Sequence, residues 1–451
     1  MAHRGSGKVF TVVLALAGLT WLALGAGMTF FADEWAFIAG RSLADPTDWF
    51  RPHNEHWSTL PIVAYRLLVE TIGIGSYVPY QALVVLLHLL VAAMVYRLVE
   101  RRSGPRAALL SGTLVAFFGA GFENIFWGFQ TGFVGSMLLG LLALDVTDRG
   151  PSLGRAWGVA GLLVLSLMAS GTGLVMCVAV GTSWLIDPGW RRYVGWLSIP
   201  AVAYASWLAA FGRTGVATMR NPFSLDAAHD VPGFLVGGFG DAVAAITGLG
   251  AIPGVLAAAA IVVWAGRRLA GRSLPPLAGG ALAAIAVQYT LIGLVRGGLI
   301  DGQVHYSRYT YESGILLLLA TSALVGRPRR PESMPVRAVA TALVISLAGM
   351  AFVYNGVLLV QGREIFLGRA DTTRALLVAG LRRPLPPTTD GARSLVLVPS
   401  PDELERITAA YGDARTDHLV PFAVRTIPES VQAEADRRVR LGVEPPTAGL
   451  R

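Results

Sequence analysis

Residues 31–58 read FADEWAFIAGRSLADPTDWFRPHNEHWS, and the fold of the chain turns on how this stretch is placed. It follows an apolar run over residues 9–31 and gathers Asp33, Glu34, Asp45, Asp48, His53, Glu55 and His56 in a short span. Charge set against the end of a membrane helix is costly and tends to mark a working site. The apolar run has a basic start (His3, Arg4, Lys8) but leads into Asp33-Glu34 with no small-residue cleavage motif. It is therefore expected to stay attached as a first span.

The 451 residues are 53% hydrophobic and 15% charged, with mean hydropathy +0.55. Several runs of 18 or more largely apolar residues are long enough to cross about 30 Å of hydrocarbon. These properties predict an all-α polytopic membrane protein. The net charge of +8 sits in short loops and the tail, so it points to membrane topology and no nucleic-acid partner. Cys177 stands alone in an apolar run, which excludes a disulfide framework and a cysteine metal site.

About 11 spans are expected: 9–31, 77–99, 107–121, 125–144, two short helices within 156–186, 193–211, 241–265, 276–295, 313–325 and 338–360. The stretch 156–186 is too long for one span and is broken at Ser170-Gly171-Thr172-Gly173. Residues 57–73 carry Arg66 and Glu70 and read as an amphipathic helix on the outer surface. Each expected inner segment carries at least two Arg or Lys, among them Arg97, Arg101, Arg102, Arg267, Arg268 and Arg272. The positive-inside rule then puts the N-terminus in the cytoplasm and Asp33 outside. Residues 1–360 form the expected membrane domain, with a first outer loop at 32–76. Residues 361–451 form a small α/β tail outside, with a strand-like run at 394–398 and a helical piece at 401–411.

This topology puts nearly all candidate acids, bases and hydrogen-bond donors on one face. Asp33 and Glu34 suit a general base toward a hydroxyl, or oxygen ligands for a divalent cation such as Mg or Mn. His53 and His56 lie three apart, a spacing that can share a helical face with Glu55 adjacent. They suit a metal set (Asp33, Glu34, His56), sugar hydroxyls or a phosphate, with Trp57 as a stacking face or an interfacial anchor. Arg308, flanked by His305 and Tyr309 in HYSRYTYE, can hold a phosphate through two parallel hydrogen bonds. Glu123, Asn124 and Gln130 border a span and are expected to line a cavity or bond between helices. Asp45 and Asp48 read as loop and cap residues.

An acidic pair after the first span, a surface helix in the first outer loop and a late outer Arg resemble the GT-C class of polyprenyl-phosphate-sugar-dependent glycosyltransferases. That class includes protein O-mannosyltransferases, lipid A aminoarabinose transferases and actinobacterial cell-wall glycosyltransferases. The resemblance covers residues 9–360 and implies a multi-pass protein of the bacterial inner membrane. Its donor would be a polyprenyl-phosphate-linked sugar drawn from the bilayer, and its acceptor a glycan, lipid or protein hydroxyl. It implies Asp33 as the base for an inverting displacement and Arg308 as the partner of the carrier phosphate. The competing classes are a transporter, flippase or lipid-carrier-binding protein, which needs polar groups through the bundle beyond His88 and Gln288. A polysaccharide polymerase or ligase would rely on outer arginines instead of an early acidic pair.

Overall fold

The computed structural model describes residues 2–212, 224–296, 305–327, 334–382, 429–433 and 435. The described residues form helices joined by turns, without a sheet. A first long helix, α1 (Ala2–Leu24), leads to three shorter ones, α2 (Asp33–Ala39), α3 (Pro46–Phe50) and α4 (Thr59–Thr71). Then come α5 (Val78–Ser103), α6 (Pro105–Ala116), α7 (Phe122–Phe126) and α8 (Thr131–Thr147). The middle holds α9 (Leu153–Ala169), α10 (Thr172–Ile186), α11 (Ser198–Ala210) and α12 (Leu225–Thr247). The last are α13 (Ala251–Ala270), α14 (Pro276–Arg296), α15 (Ser307–Val325) and α16 (Met334–Arg382). The expected strand at 394–398 and helix at 401–411 lie outside the described residues.

Among the described residues six helices are long and apolar enough to cross a membrane, or seven if the pair α6–α7, bent by 40°, is one broken span. Apolar α9 and α10 are shorter, at 17 and 15 residues. The expected count of about 11 is not reached by length and composition among the described residues. Local sequence explains the breaks. Ser170 is fully extended between α9 and α10 and ends the helical run where the small-residue cluster predicted it. The span expected at 241–265 is instead divided: α12 stops at Gly248, whose φ of 72° caps the helix, and α13 begins after Gly250. Left-handed backbone is cheap only for glycine, and a Cβ at Gly248 would also meet Met350 O at 2.4 Å. The outer loop expected at 213–240 accordingly gives way to helix from Leu225 onward.

Polar side chains knit the bundle where lipid offers no partners. Trp21 Nε1 donates to Ala116 O at 2.9 Å, and Gln81 Nε2 donates to Trp21 O at 3.1 Å. Asn355 ties α16 to α12 by donating to Ala245 O at 2.8 Å, while its Oδ1 accepts from Ala120 N at 2.9 Å. α16 runs unbroken for 49 residues, about 74 Å at 1.5 Å per residue, and so passes through position 360, where the tail was expected to begin.

At one end of the bundle, buried Asp145 of α8 receives Arg97 at 2.7 Å, Arg101 at 2.8 Å and Arg149 at 2.6 Å. At the other end the segment between α1 and α5 folds over the helix tips. Buried Arg41 donates to the carbonyls of Asp48, Arg51 and Pro52, and Arg66 of α4 donates to Ile38 O and pairs with Glu70. Asp45 caps α3 by accepting from Thr47 N at 2.9 Å, and Asp48 accepts from Ser42 N at 2.9 Å. Both aspartates thus do the loop work expected of them.

Candidate active site

The acidic pair separates as soon as α2 begins. Ala32 holds φ at 51°, a strained value for a residue with a Cβ, and this sets the entry of Asp33 into the first helical turn. Asp33 faces a cavity and is 37% exposed, while Glu34 turns inward and is fully buried. Glu34 Oε1 accepts from the hydroxyls of Tyr65 and Tyr77, the latter at 3.1 Å, and Oε2 accepts from Phe31 N at 3.0 Å. Burial pushes its pKa up to about 8, against the opposing pull of these donors.

HNEHW forms a turn, and the helical face expected to carry both imidazoles does not exist. His53 N donates to His56 O at 3.1 Å and His56 N to His53 O at 3.0 Å, with Asn54 at φ 50°. Asn tolerates this left-handed conformation better than most residues, so the hairpin closes on itself. The two histidines take different partners. His53 is buried against Phe37 and Phe129, with Nε2 3.3 Å from Asp33 Oδ1. Glu55 and His56 reach the cavity, 3.5 Å apart. Trp57 stacks on Trp207 at 5.3 Å, and its indole donates to Thr59 Oγ1 at 2.8 Å; it packs the loop onto α11 and does not line the cavity.

The facing wall comes from α14 and α15. The Arg308 guanidinium lies over the rings of Tyr306 and Tyr309 at 4.9 and 5.3 Å and pairs with Glu123 at 3.7 Å. Its Nε is buried without a hydrogen-bond partner among the described residues. One turn further along α15, Glu312 accepts from Thr172 Oγ1 at the start of α10. Gln288 of α14 donates to Tyr309 O at 3.1 Å.

These elements enclose a cavity of about 330 Å³, in the range of small-molecule sites. Asp33, Glu55, His56, Arg308 and Tyr309 line it, together with Asn54 of the HNEHW turn, Gln288, noted in the sequence only as a polar residue within the bundle, and Glu312, which the sequence did not single out. Residues from the loop after α1 and from α15 thus meet across more than 270 positions of chain. Glu34, His53, Trp57, Glu123, Asn124, Gln130 and His305 stand outside the lining. Asn124 and Gln130 are fully buried behind it. His305 bonds Asp241 at 2.6 Å, which raises its pKa. A signal for Glu312 was present: it lies four residues after Arg308, on the same helical face, as a carboxyl at the head of an apolar run.

The expected metal set of Asp33, Glu34 and His56 does not converge, because both Glu34 oxygens are engaged on the far side of α2. Among the described residues no three His, Cys, Asp or Glu side chains are grouped to hold a metal ion.

No family model matches the sequence, and no curated protein matches it significantly. Among solved structures, the chain is similar to ArnT from Cupriavidus metallidurans, crystallised with undecaprenyl phosphate. The match has a TM-score of 0.51 at 13% identity and covers 98% of this chain and 90% of ArnT. A second similar structure is the Archaeoglobus fulgidus oligosaccharyltransferase in complex with Zn and sulfate. There the TM-score is 0.48 at 16% identity, covering 95% of this chain and 66% of that one. The described residues form a helical bundle with several membrane-length helices, and the chain, matching ArnT over nearly its whole length, has a GT-C-like membrane fold.

Proposed function

We propose that the protein is a glycosyltransferase that moves a sugar from a polyprenyl-phosphate carrier to an acceptor hydroxyl at the extracytoplasmic face of a bacterial inner membrane. The observation that carries this reading is the meeting of Asp33 and Arg308 in one cavity. ArnT, the structure of similar fold, holds undecaprenyl phosphate, which supports a lipid-phosphate donor here. The basic inner segments, with Arg97, Arg101, Arg149 and Asp145 at the opposite end of α5 and α8, support an outward-facing cavity. In this reading residues beyond α16 lie outside with it.

The carrier phosphate sits against Arg308. The guanidinium is fixed over two tyrosine rings in the cavity wall, so it is held in place to meet the phosphate. Asp33 takes the proton of the acceptor hydroxyl as that oxygen attacks the anomeric carbon. The bond from that carbon to the phosphate oxygen breaks on the opposite side, with inversion and oxocarbenium character. Polyprenyl phosphate leaves with both electrons of that bond and needs no strong acid while Arg308 balances its charge. His53, 3.3 Å from Asp33, positions the carboxylate. Glu55 and His56 contact the acceptor or the sugar on the same side of the cavity.

The test is Asp33→Asn in cells lacking the native protein, read by mass spectrometry of the lipid extract. A polyprenyl-phosphate sugar that accumulates in the variant and is consumed with wild type is the expected result. Equal consumption at equal protein level would overturn the assignment.

A further inference from the structure

Glu312 and Gln288 take no part in the transfer step, yet both stand in the cavity wall and both are only 3% exposed. Gln288 is anchored by one end. Its Nε2 donates to Tyr309 O, and its Oε1 has no hydrogen-bond partner among the described residues. Glu312 is held through one oxygen, Oε1, which accepts from Thr172 Oγ1. A buried acceptor left bare is costly, and a ligand that brings a donor removes the cost. The neighbouring wall, Leu291 and Ile292, is apolar and offers no competing donor.

The position along α15 says which part of a ligand reaches them. Glu312 is four residues past Arg308, a rise of about 6 Å on the same helical face. A sugar bonded directly to a phosphate at Arg308 spans that gap with its own ring. The geometry points to Gln288 Oε1 and the Glu312 carboxyl as an acceptor-rich subsite. It binds ring hydroxyls of the transferred sugar and so selects which donor lipid is used. This inference rests on the reading of the cavity as the donor-lipid site.

The experiment uses full-length protein in lipid nanodiscs. Dissociation constants are measured for undecaprenyl phosphate and for its conjugates with glucose, galactose, mannose and arabinose. Wild type is expected to bind at least one conjugate about tenfold more tightly than the bare carrier, as extra buried hydrogen bonds allow. Gln288→Leu keeps the side chain's size, and Glu312→Ala removes the carboxyl. Each should shrink that preference to less than about threefold while bare-carrier binding moves less than about twofold. Thermal unfolding of both variants checks the fold, and Gln288→Leu carries the prediction alone if Glu312→Ala is unstable. Arg308→Ala separates the two levels, because it should weaken the bare carrier and every conjugate alike. If it leaves bare-carrier binding unchanged, the donor-site reading fails. If it weakens all ligands but the preference survives both other variants, the subsite alone fails. Wild type that prefers no conjugate over bare carrier also overturns the subsite.

Discussion

His53 Nε2 lies 3.3 Å from Asp33 Oδ1, so a buried imidazole sits against the carboxylate that faces the cavity. The contact exists because the turn closed at Asn54 holds His53 against Phe37 and Phe129, while His56, its partner across the bridge, packs on Phe133 at the cavity. If Asp33 is the base, misplacing it by about 1 Å costs on the order of 10²-fold in rate. His53→Ala should therefore lower kcat by roughly that factor, with the donor KM little changed. His53→Gln, which keeps a hydrogen-bonding atom, should recover part of the loss. A KM effect without a kcat effect would contradict a positioning role.

Glu34 should make stability fall as the pH rises. Burial places its folded-state pKa at about 8, above the 4.5 of an unfolded glutamate. Between those values the native chain holds a proton that the unfolded chain has released. Its stabilising contribution is therefore complete below about pH 4.5 and is lost as the pH climbs through about 8. At 1.36 kcal/mol per unit the range is roughly 3–6 kcal/mol. Thermal unfolding midpoints should decline from pH 5 to pH 8 in wild type, and Glu34→Gln should flatten that slope. A slope unchanged in the variant would remove Glu34 as its source.

Gly171 touches the site through the absence of a side chain. A Cβ there would lie 2.8 Å from His56 Nδ1, too close to be accommodated without moving the imidazole. Gly161, on the outside of α9, has nothing within 4 Å of such a Cβ. Gly171→Ala should thus reduce transfer about tenfold or more by displacing His56, while Gly161→Ala leaves it within about twofold. Both proteins should be tested at matched amounts in the same membranes.

Asp145 separates stability from activity. It is buried under Arg97, Arg101 and Arg149 at the end of α8 remote from Phe129 and Phe133, which line the cavity. Those arginines are partly exposed, so losing the carboxylate should cost about 1–3 kcal/mol. Asp145→Ala should lower the unfolding temperature while activity per folded molecule stays at the wild-type level.

Much of this arrangement was legible in the sequence, for identifiable reasons. The break at Ser170-Gly171 shows as small polar residues inside an apolar run, and helix α4 falls within the stretch 57–73 where a helix was expected. The loop arginines group Asp33, His56 and Arg308 on one expected face, and these three line one cavity. What sequence spacing could not order was depth. Glu34 is adjacent to Asp33 yet faces Tyr65 and Tyr77, because one helical step of 100° turns it from the cavity into the core. Trp57 is spent on Trp207, a partner 150 residues away. The division of α12 from α13 was missed because Gly248-Leu249-Gly250 sits in uniformly apolar surroundings, where only the backbone angle at Gly248 ends the helix.

The central claim is that Asp33 and Arg308 act on one substrate from two sides of one cavity. Single-turnover release of undecaprenyl phosphate from a preferred sugar conjugate, by purified full-length protein with membrane acceptor, measures it most directly. Asp33→Asn should bind the conjugate within about threefold of wild type and slow release by roughly 10²–10⁴-fold. Arg308→Ala should weaken binding and slow release together. Release at the wild-type rate from Asp33→Asn, with binding intact, would contradict the account.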